Sequence, residues 1–154
     1  LAASAAAALQ FLSTFVSEPL ISRITHRATD LSKFDSLVGN VDGLLRGLVL
    51  IWTLAAFGEE FVFRGYLLNR AADLGGRSSA SWLVGLVGVS ALFGLGHYYQ
   101  GWTGAIDTTL TGLLLGGLYL ATGRNLWAPI LAHGISDTIA LVLIFAGAVP
   151  GVGR

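Results

Sequence analysis

Gly58-Glu59-Glu60-Phe61-Val62-Phe63-Arg64-Gly65 comes directly after residues 47–57, a run without a charged side chain. Two adjacent carboxylates at the end of such a run are costly to desolvate. Ionisable residues inside a bilayer are rare, and by default they mark a functional site. On this basis residues 44–68 form one membrane-crossing helix. The rest of the chain then becomes a scaffold that carries two histidines, His97 and His133, to the glutamates.

The composition agrees. Of 154 residues, 54% are hydrophobic and only 12% are charged, against about 25% charged in an ordinary soluble domain. Mean hydropathy is +0.72. These values point to a polytopic membrane protein with a single domain over residues 1–154. Net charge is zero, so nothing suggests a nucleic-acid partner. There is no cysteine, which excludes disulfides and thiolate metal sites and leaves His, Asp and Glu to hold any metal. There is also no methionine, not even at position 1, so the chain is expected to be a piece of a longer protein. Residues 1–9 lack the basic flank of a cleavable signal. The preference for arginine over lysine, with abundant alanine and glycine, hints at a GC-rich bacterial genome and so at a bacterial plasma membrane.

A spanning helix needs ~20 mostly apolar residues. Residues 1–16 are apolar and Ala-rich and read as the end of a span that Glu18-Pro19 breaks. Over residues 22–42, charges are interspersed with Ile24, Leu31, Phe34, Leu37 and Val38 at roughly helical spacing. That pattern predicts either an amphipathic segment lying in the interface or an extramembrane loop, then a turn near Gly39-Asn40. Further spans are expected at 44–68, 82–98, 103–121 and 127–149. A polar connection at 69–81, broken at Gly75-Gly76, and a turn at Thr122-Gly123-Arg124-Asn125 separate them. Asn125 is placed to cap the last span. Pro129 falls in its first turn, where the missing N–H is tolerated. Tyr98, Tyr99 and Trp102 form an interfacial aromatic belt, and Gly112, Gly116 and Gly117 permit close helix contact. The expected fold class is all-α, a polytopic membrane helix bundle of about four to five transmembrane helices plus an interfacial amphipathic segment. Basic residues flank both sides almost equally, so the positive-inside rule gives no orientation.

The polar residues inside these spans carry the chemistry. On a helix Glu60 and Arg64 are i and i+4 with the acid N-terminal, the favourable order for an ion pair. Glu59 is rotated away from that partner and stays free to act as a base. On spacing alone, an interfacial ion cluster at a helix end competes with this reading. His97 closes a span four residues after Phe93, where a backbone-bonded interfacial histidine is the plain alternative. His133 and Asp137 are i and i+4 on one face, spaced so that both can contact one metal ion or one water. A His–Asp hydrogen bond that only locks helices together is the competing reading. Glu59, His97, His133 and Asp137 together are a base plus candidate metal ligands on three spans. Water activation for hydrolysis needs such a set, either through a zinc-bound water or through direct deprotonation by Glu59 and His97.

Glu59-Glu60-x-x-x-Arg64-Gly65, then Phe93-x-x-x-His97, then His133-x-x-x-Asp137 resemble the three motifs of the CPBP family. These are the CAAX prenyl-protease and bacteriocin-processing proteins, also called the Abi family. The flanking residues 90–97 and 116–130 are similar too, and the resemblance covers residues 44–140. It implies an all-helical intramembrane endopeptidase acting on prenylated proteins near their C-terminus, on bacteriocin-type peptides or on membrane proteins. It also implies that Glu59 activates water with help from His97, and that Glu60 and Arg64 support the site. His133 and Asp137 would then stabilise the oxyanion or hold a zinc ion. Many members carry Asn where this chain has Asp137. An Asn donates a hydrogen bond to an oxyanion and an ionised Asp does not, so Asp137 must be protonated, or serve as a metal ligand or as an orienter of His133. The expected partners are the lipid bilayer and a peptide or membrane-protein substrate. Two other readings use the same residues: an ion- or proton-coupled transporter, and a non-catalytic membrane scaffold or immunity protein. No inverted repeat of the transporter kind is present.

Overall fold

The computed structural model describes residues 2–149 and 152, and their regular elements are all helical. α1 (Ala2–Leu12) passes through a π-helical turn, Ser13–Ser17, into α2 (Glu18–Thr25). A 3-10 turn, Ser32–Leu37, leads to one long helix, Val41–Leu74. Its ends are the α-helical segments α3 (Val41–Leu50) and α4 (Leu68–Leu74), and its middle, Ile51–Glu59 and Phe61–Leu67, is π-helical. α5 (Ser79–Gly96), α6 (Gly101–Ala121) and α7 (Trp127–Phe145) complete the bundle.

Among the described residues, four helices are long and apolar enough to cross a membrane: Val41–Leu74, Ser79–Gly96, Tyr98–Ala121 and Trp127–Phe145. This is a multi-pass membrane protein with a lipid environment. The long helix has 34 residues. At the α-helical rise that is about 50 Å, well beyond the ~30 Å hydrocarbon core. Its polar ends therefore reach out of the membrane. At one end Asp42 and Arg46 pair at 2.7 Å, both exposed. At the other, Asp73 pairs with Arg70 at 2.8 Å and with Arg77 at 2.7 Å.

Local signals set most of the helix ends. Asn40 begins the long helix by accepting a hydrogen bond from the Gly43 N–H at 2.9 Å, and Ser78 begins α5 by accepting from the Ser81 N–H at 3.2 Å. Gly39, Gly76 and Gly123 take left-handed φ values of 68°, 64° and 69° in the expected turns. Asn125 Oδ1 accepts from the Trp127 N–H at 3.0 Å, from one residue before the cap position, which Leu126 holds.

Three expectations change. Glu18-Pro19 does not break the first helix, because Pro19 lies in the first turn of α2, where its missing N–H costs nothing. Helical structure therefore runs on to Thr25, and His26 ends it with φ 53°. The amphipathic segment is accordingly split. Only α2 and the short Ser32–Leu37 turn are helical there. Residues 69–74, expected as connection, are helical. Asn69 bonds back to the carbonyls of Arg64 and Gly65 at 2.9 and 3.0 Å and so satisfies its amide within the helix.

α6 is shared by both apolar clusters. Its Leu115 is buried with Leu9 of α1 and Ala132 of α7, and its Tyr119 with Leu68 and Val89. Hydrocarbon tails give little reason for apolar helices to associate, so contact rests on small residues that admit close packing. Gly112 faces Ser90 and Phe93, and Gly116 faces Leu86. Gly117, expected to do the same, has no atom within 4 Å of where a Cβ would stand. The tightest approach is at Gly94, which lies against Thr109 Oγ1 and the Ala105 carbonyl. Gly94→Ala is expected to part α5 from α6 and cost about 1–3 kcal/mol. Gly117→Ala should be neutral or stabilising by up to about 1 kcal/mol. Thermal unfolding in detergent checks both, and equal melting temperatures for the two variants would refute this packing.

Candidate active site

Glu59 ends one π-helical segment, and Glu60 sits between that segment and the next. Such widened turns inside α-helices recur at functional sites. The i, i+4 relation survives the widening. Arg64 Nη1 donates to Glu60 Oε1 at 2.8 Å, with both side chains essentially out of contact with solvent, at 2% and 0% exposure. The second Arg64 nitrogen, Nη2, donates to the Gly112 carbonyl of α6 at 2.9 Å. The guanidinium also lies over the Phe93 ring at 4.7 Å, a cation–π contact. Arg64 thus ties the long helix to α5 and α6 at once.

His133 of α7 reaches the same oxygen. Its Nδ1 lies 2.8 Å from Glu60 Oε1. Since a carboxylate only accepts, Nδ1 carries the hydrogen. Its Nε2 lies 3.3 Å from Asp137 Oδ2. His133 therefore bridges Glu60 and Asp137 and is itself buried. A close contact positions α7 here. A Cβ on Gly134 would stand 2.7 Å from the Trp52 ring, so glycine at that place lets α7 seat against the long helix.

His97 follows α5 directly. Its Nδ1 is 2.9 Å from the Phe93 carbonyl oxygen. A carbonyl only accepts, so Nδ1 carries a hydrogen, and in the Nδ1–H tautomer Nε2 is the acceptor. The Phe93 ring packs near both histidines, with centroids 4.9 Å from His97 and 6.1 Å from His133. Phe63 closes on it edge-on at 5.0 Å. Glu59 lies within electrostatic reach of His133, His97, Asp137 and Glu60. Among the described residues, the buried Oε2 atoms of Glu59 and Glu60 have no hydrogen-bond partner.

All six residues singled out in the sequence therefore gather in one cluster. They are Glu59, Glu60 and Arg64 on the long helix, His97 after α5, and His133 and Asp137 on α7. The reading of Glu60 and Arg64 as a pair, with Glu59 outside it, matches the geometry. His133 meets Asp137 as their i, i+4 spacing predicts, and it also reaches Glu60, a contact between helices that no spacing gives. The four side chains expected to hold zinc, Glu59, His97, His133 and Asp137, do not converge as ligands in this arrangement. Among the described residues no three His, Asp or Glu side chains form a metal-binding group, and both nitrogens of His133 are engaged.

Two contributors escaped the sequence reading. In the sequence Phe93 is only a marker four residues before His97, yet it is 2% exposed and touches Arg64, His97 and His133. Its i, i+4 spacing to His97 was the available signal. The Gly112 carbonyl, as acceptor for Arg64, had no signal in the residue type. Asp107 accepts a hydrogen bond from Ser17 and so joins the first helical stretch to α6.

A family model described as type II CAAX prenyl endopeptidase, Rce1-like, matches residues 42–139, a stretch that contains all six clustered residues. No curated protein and no solved structure matches the chain.

Proposed function

Because the chain belongs to the Rce1-like family of type II CAAX prenyl endopeptidases, we propose that it hydrolyses a peptide bond within the membrane by using Glu59 to activate water. The family accounts for protease activity in a multi-pass membrane setting. The observation that carries the finer reading is the asymmetry between the two glutamates. Glu60 Oε1 is held by Arg64 and His133, whereas Glu59 is half-buried within electrostatic reach of His97, with an unpartnered buried oxygen.

In this reading Glu59 accepts a proton from the attacking water, and His97 Nε2 accepts the water's other hydrogen bond and orients it. The water oxygen forms a bond to the scissile carbonyl carbon. The oxyanion is met by His133, whose Nε2–H faces the half-exposed Asp137 at a long 3.3 Å and exchanges that partner for the developing charge. The proton on Glu59 then passes to the leaving amine as the C–N bond breaks. Glu60 and Arg64 hold His133 in place. The substrate is a peptide or membrane-protein segment, and a prenylated C-terminal peptide is the first to try in view of the family.

The test is cleavage of such a peptide, and of an unprenylated apolar peptide, in proteoliposomes. Hydrolysis by the wild type is expected, and no cleavage of any membrane-presented peptide would remove the proposal. One arm strips the protein with chelator and counts zinc before and after. Activity that survives without metal supports direct activation by Glu59. Activity that vanishes and returns with about one zinc per chain would replace it with a metal-bound water.

Asp137→Asn is expected to keep activity within about tenfold in the same assay, whereas Asp137→Ala falls further. An Asn amide still bonds His133 Nε2 and can itself donate to the oxyanion. Complete loss in a folded Asp137→Asn variant would instead make the carboxylate charge essential.

A further inference from the structure

Away from the glutamate–histidine cluster, α5 and the end of α6 border a groove of about 490 Å³ at the end of the bundle where the long helix stops. Its wall is apolar: Leu83, Leu86 and Leu120. Its rim is not, being formed by Ser79, Trp82 and Arg124. Two guanidiniums flank the Trp82 ring, Arg77 at 5.0 Å and Arg124 at 5.5 Å from its centre. Both arginines have left-handed backbones, with φ 57° and 67°, and His26 is the other non-glycine residue of this kind among those described. A side chain disfavours that conformation, and it persists where neighbouring structure holds it. The holding bonds are Arg77 N–H to the Ala72 carbonyl and Arg124 N–H to the Tyr119 carbonyl, each 2.8 Å.

The two arginines differ in charge balance. Arg77 is neutralised by Asp73 at 2.7 Å and also bonds Asn69 at 2.8 Å. Arg124 has no carboxylate within ion-pair distance among the described residues, and no acid lines the groove. An uncompensated cation and an indole thus stand at the membrane boundary above an apolar trough. The trough opens outward, since Leu83 is 61% exposed.

We propose that this groove is a binding site for one anionic glycerophospholipid, with its phosphate on Arg124 and Ser79 beside Trp82 and an acyl chain along Leu83, Leu86 and Leu120. Charge complementarity selects an anion. The leucine wall, at the level where Trp marks the headgroup region, selects a lipid over a free phosphate ion. The site shares no residue with the glutamate–histidine cluster, so it stands whether or not the hydrolytic reading does.

Native mass spectrometry of the detergent-solubilised protein tests it with three probes: phosphatidylglycerol, phosphatidylcholine and inorganic phosphate. One phosphatidylglycerol per chain is expected to bind about fivefold more tightly than phosphatidylcholine, the usual worth of one basic residue near an anionic headgroup. Arg124→Gln should remove that preference. Leu83→Trp fills the trough from an exposed position that the fold does not depend on, and should weaken both lipids. Three results overturn the site: equal binding of the two lipids by the wild type, unchanged preference in folded Arg124→Gln, or inorganic phosphate competing as well as the lipid. Should Arg124→Gln fail to fold, undiminished lipid binding by Leu83→Trp overturns it alone.

Discussion

Glu59→Gln is expected to abolish detectable hydrolysis, a fall of ~10²–10⁴ in rate for loss of a general base, while leaving the fold intact. The substitution keeps shape and removes only the ability to accept a proton. Among the described residues Glu59 takes part in none of the ion pairs of the cluster, and its buried oxygen lacks a protein partner. Glu60→Gln is the informative comparison. It strips the charge from an oxygen that accepts from both Arg64 and His133, so it should lower activity and melting temperature together. The two neighbouring residues are thereby distinguished by what each variant loses. Rates are measured in proteoliposomes and stability by thermal unfolding in detergent. Full activity in Glu59→Gln would remove Glu59 from the chemistry, and a large loss of stability in that variant would make it structural.

Arg64→Met should be the most destabilising single change, by about 3–5 kcal/mol. Three interactions fail at once. Glu60 keeps a fully buried charge with only the His133 N–H as partner, the Gly112 carbonyl loses its donor, and the Phe93 face loses its guanidinium. The penalty comes mainly from the stranded carboxylate and less from the strength of the pair itself. The double variant Glu60→Gln/Arg64→Met should therefore be less damaged than the sum of the single changes, and the non-additivity measures the coupling. Chemical unfolding of the four proteins of that cycle decides it. Wild-type stability in Arg64→Met, or strict additivity, would show that the buried pair does not hold the three helices together.

The lipid-exposed character and number of the helices were readable because apolar length is a local property. An uncharged run such as residues 47–57 has few other uses in a chain of this hydropathy. Turn residues were readable for the same reason. Gly39, Gly76 and Gly123 occupy backbone conformations that other residues disfavour, and Asn40 and Asn125 serve as short-range acceptors. The six residues of the candidate site could be picked out because charge in an apolar helix needs a cause. The Glu60–Arg64 contact followed from spacing alone, since both partners lie on one helix.

Helix packing decided the rest. His133 meets Glu60 from 73 positions away in the sequence, and no periodicity within α7 selects that oxygen over a water or a metal. Phe93 becomes the contact shared by Arg64, His97 and His133 only when the long helix, α5 and α7 are brought together. The widened turns around Glu60 were equally illegible, because an apolar run fits α- and π-helical winding alike and neighbouring helices select between them. Chain-local patterns therefore specified which groups are charged, which segments cross the membrane and where they turn. The approach of the helices specified which group faces which, because a side chain's partner across a bundle depends on small-residue contacts such as Gly94 with Ala105 and Gly134 with Trp52, and these become visible only once both sides are in place.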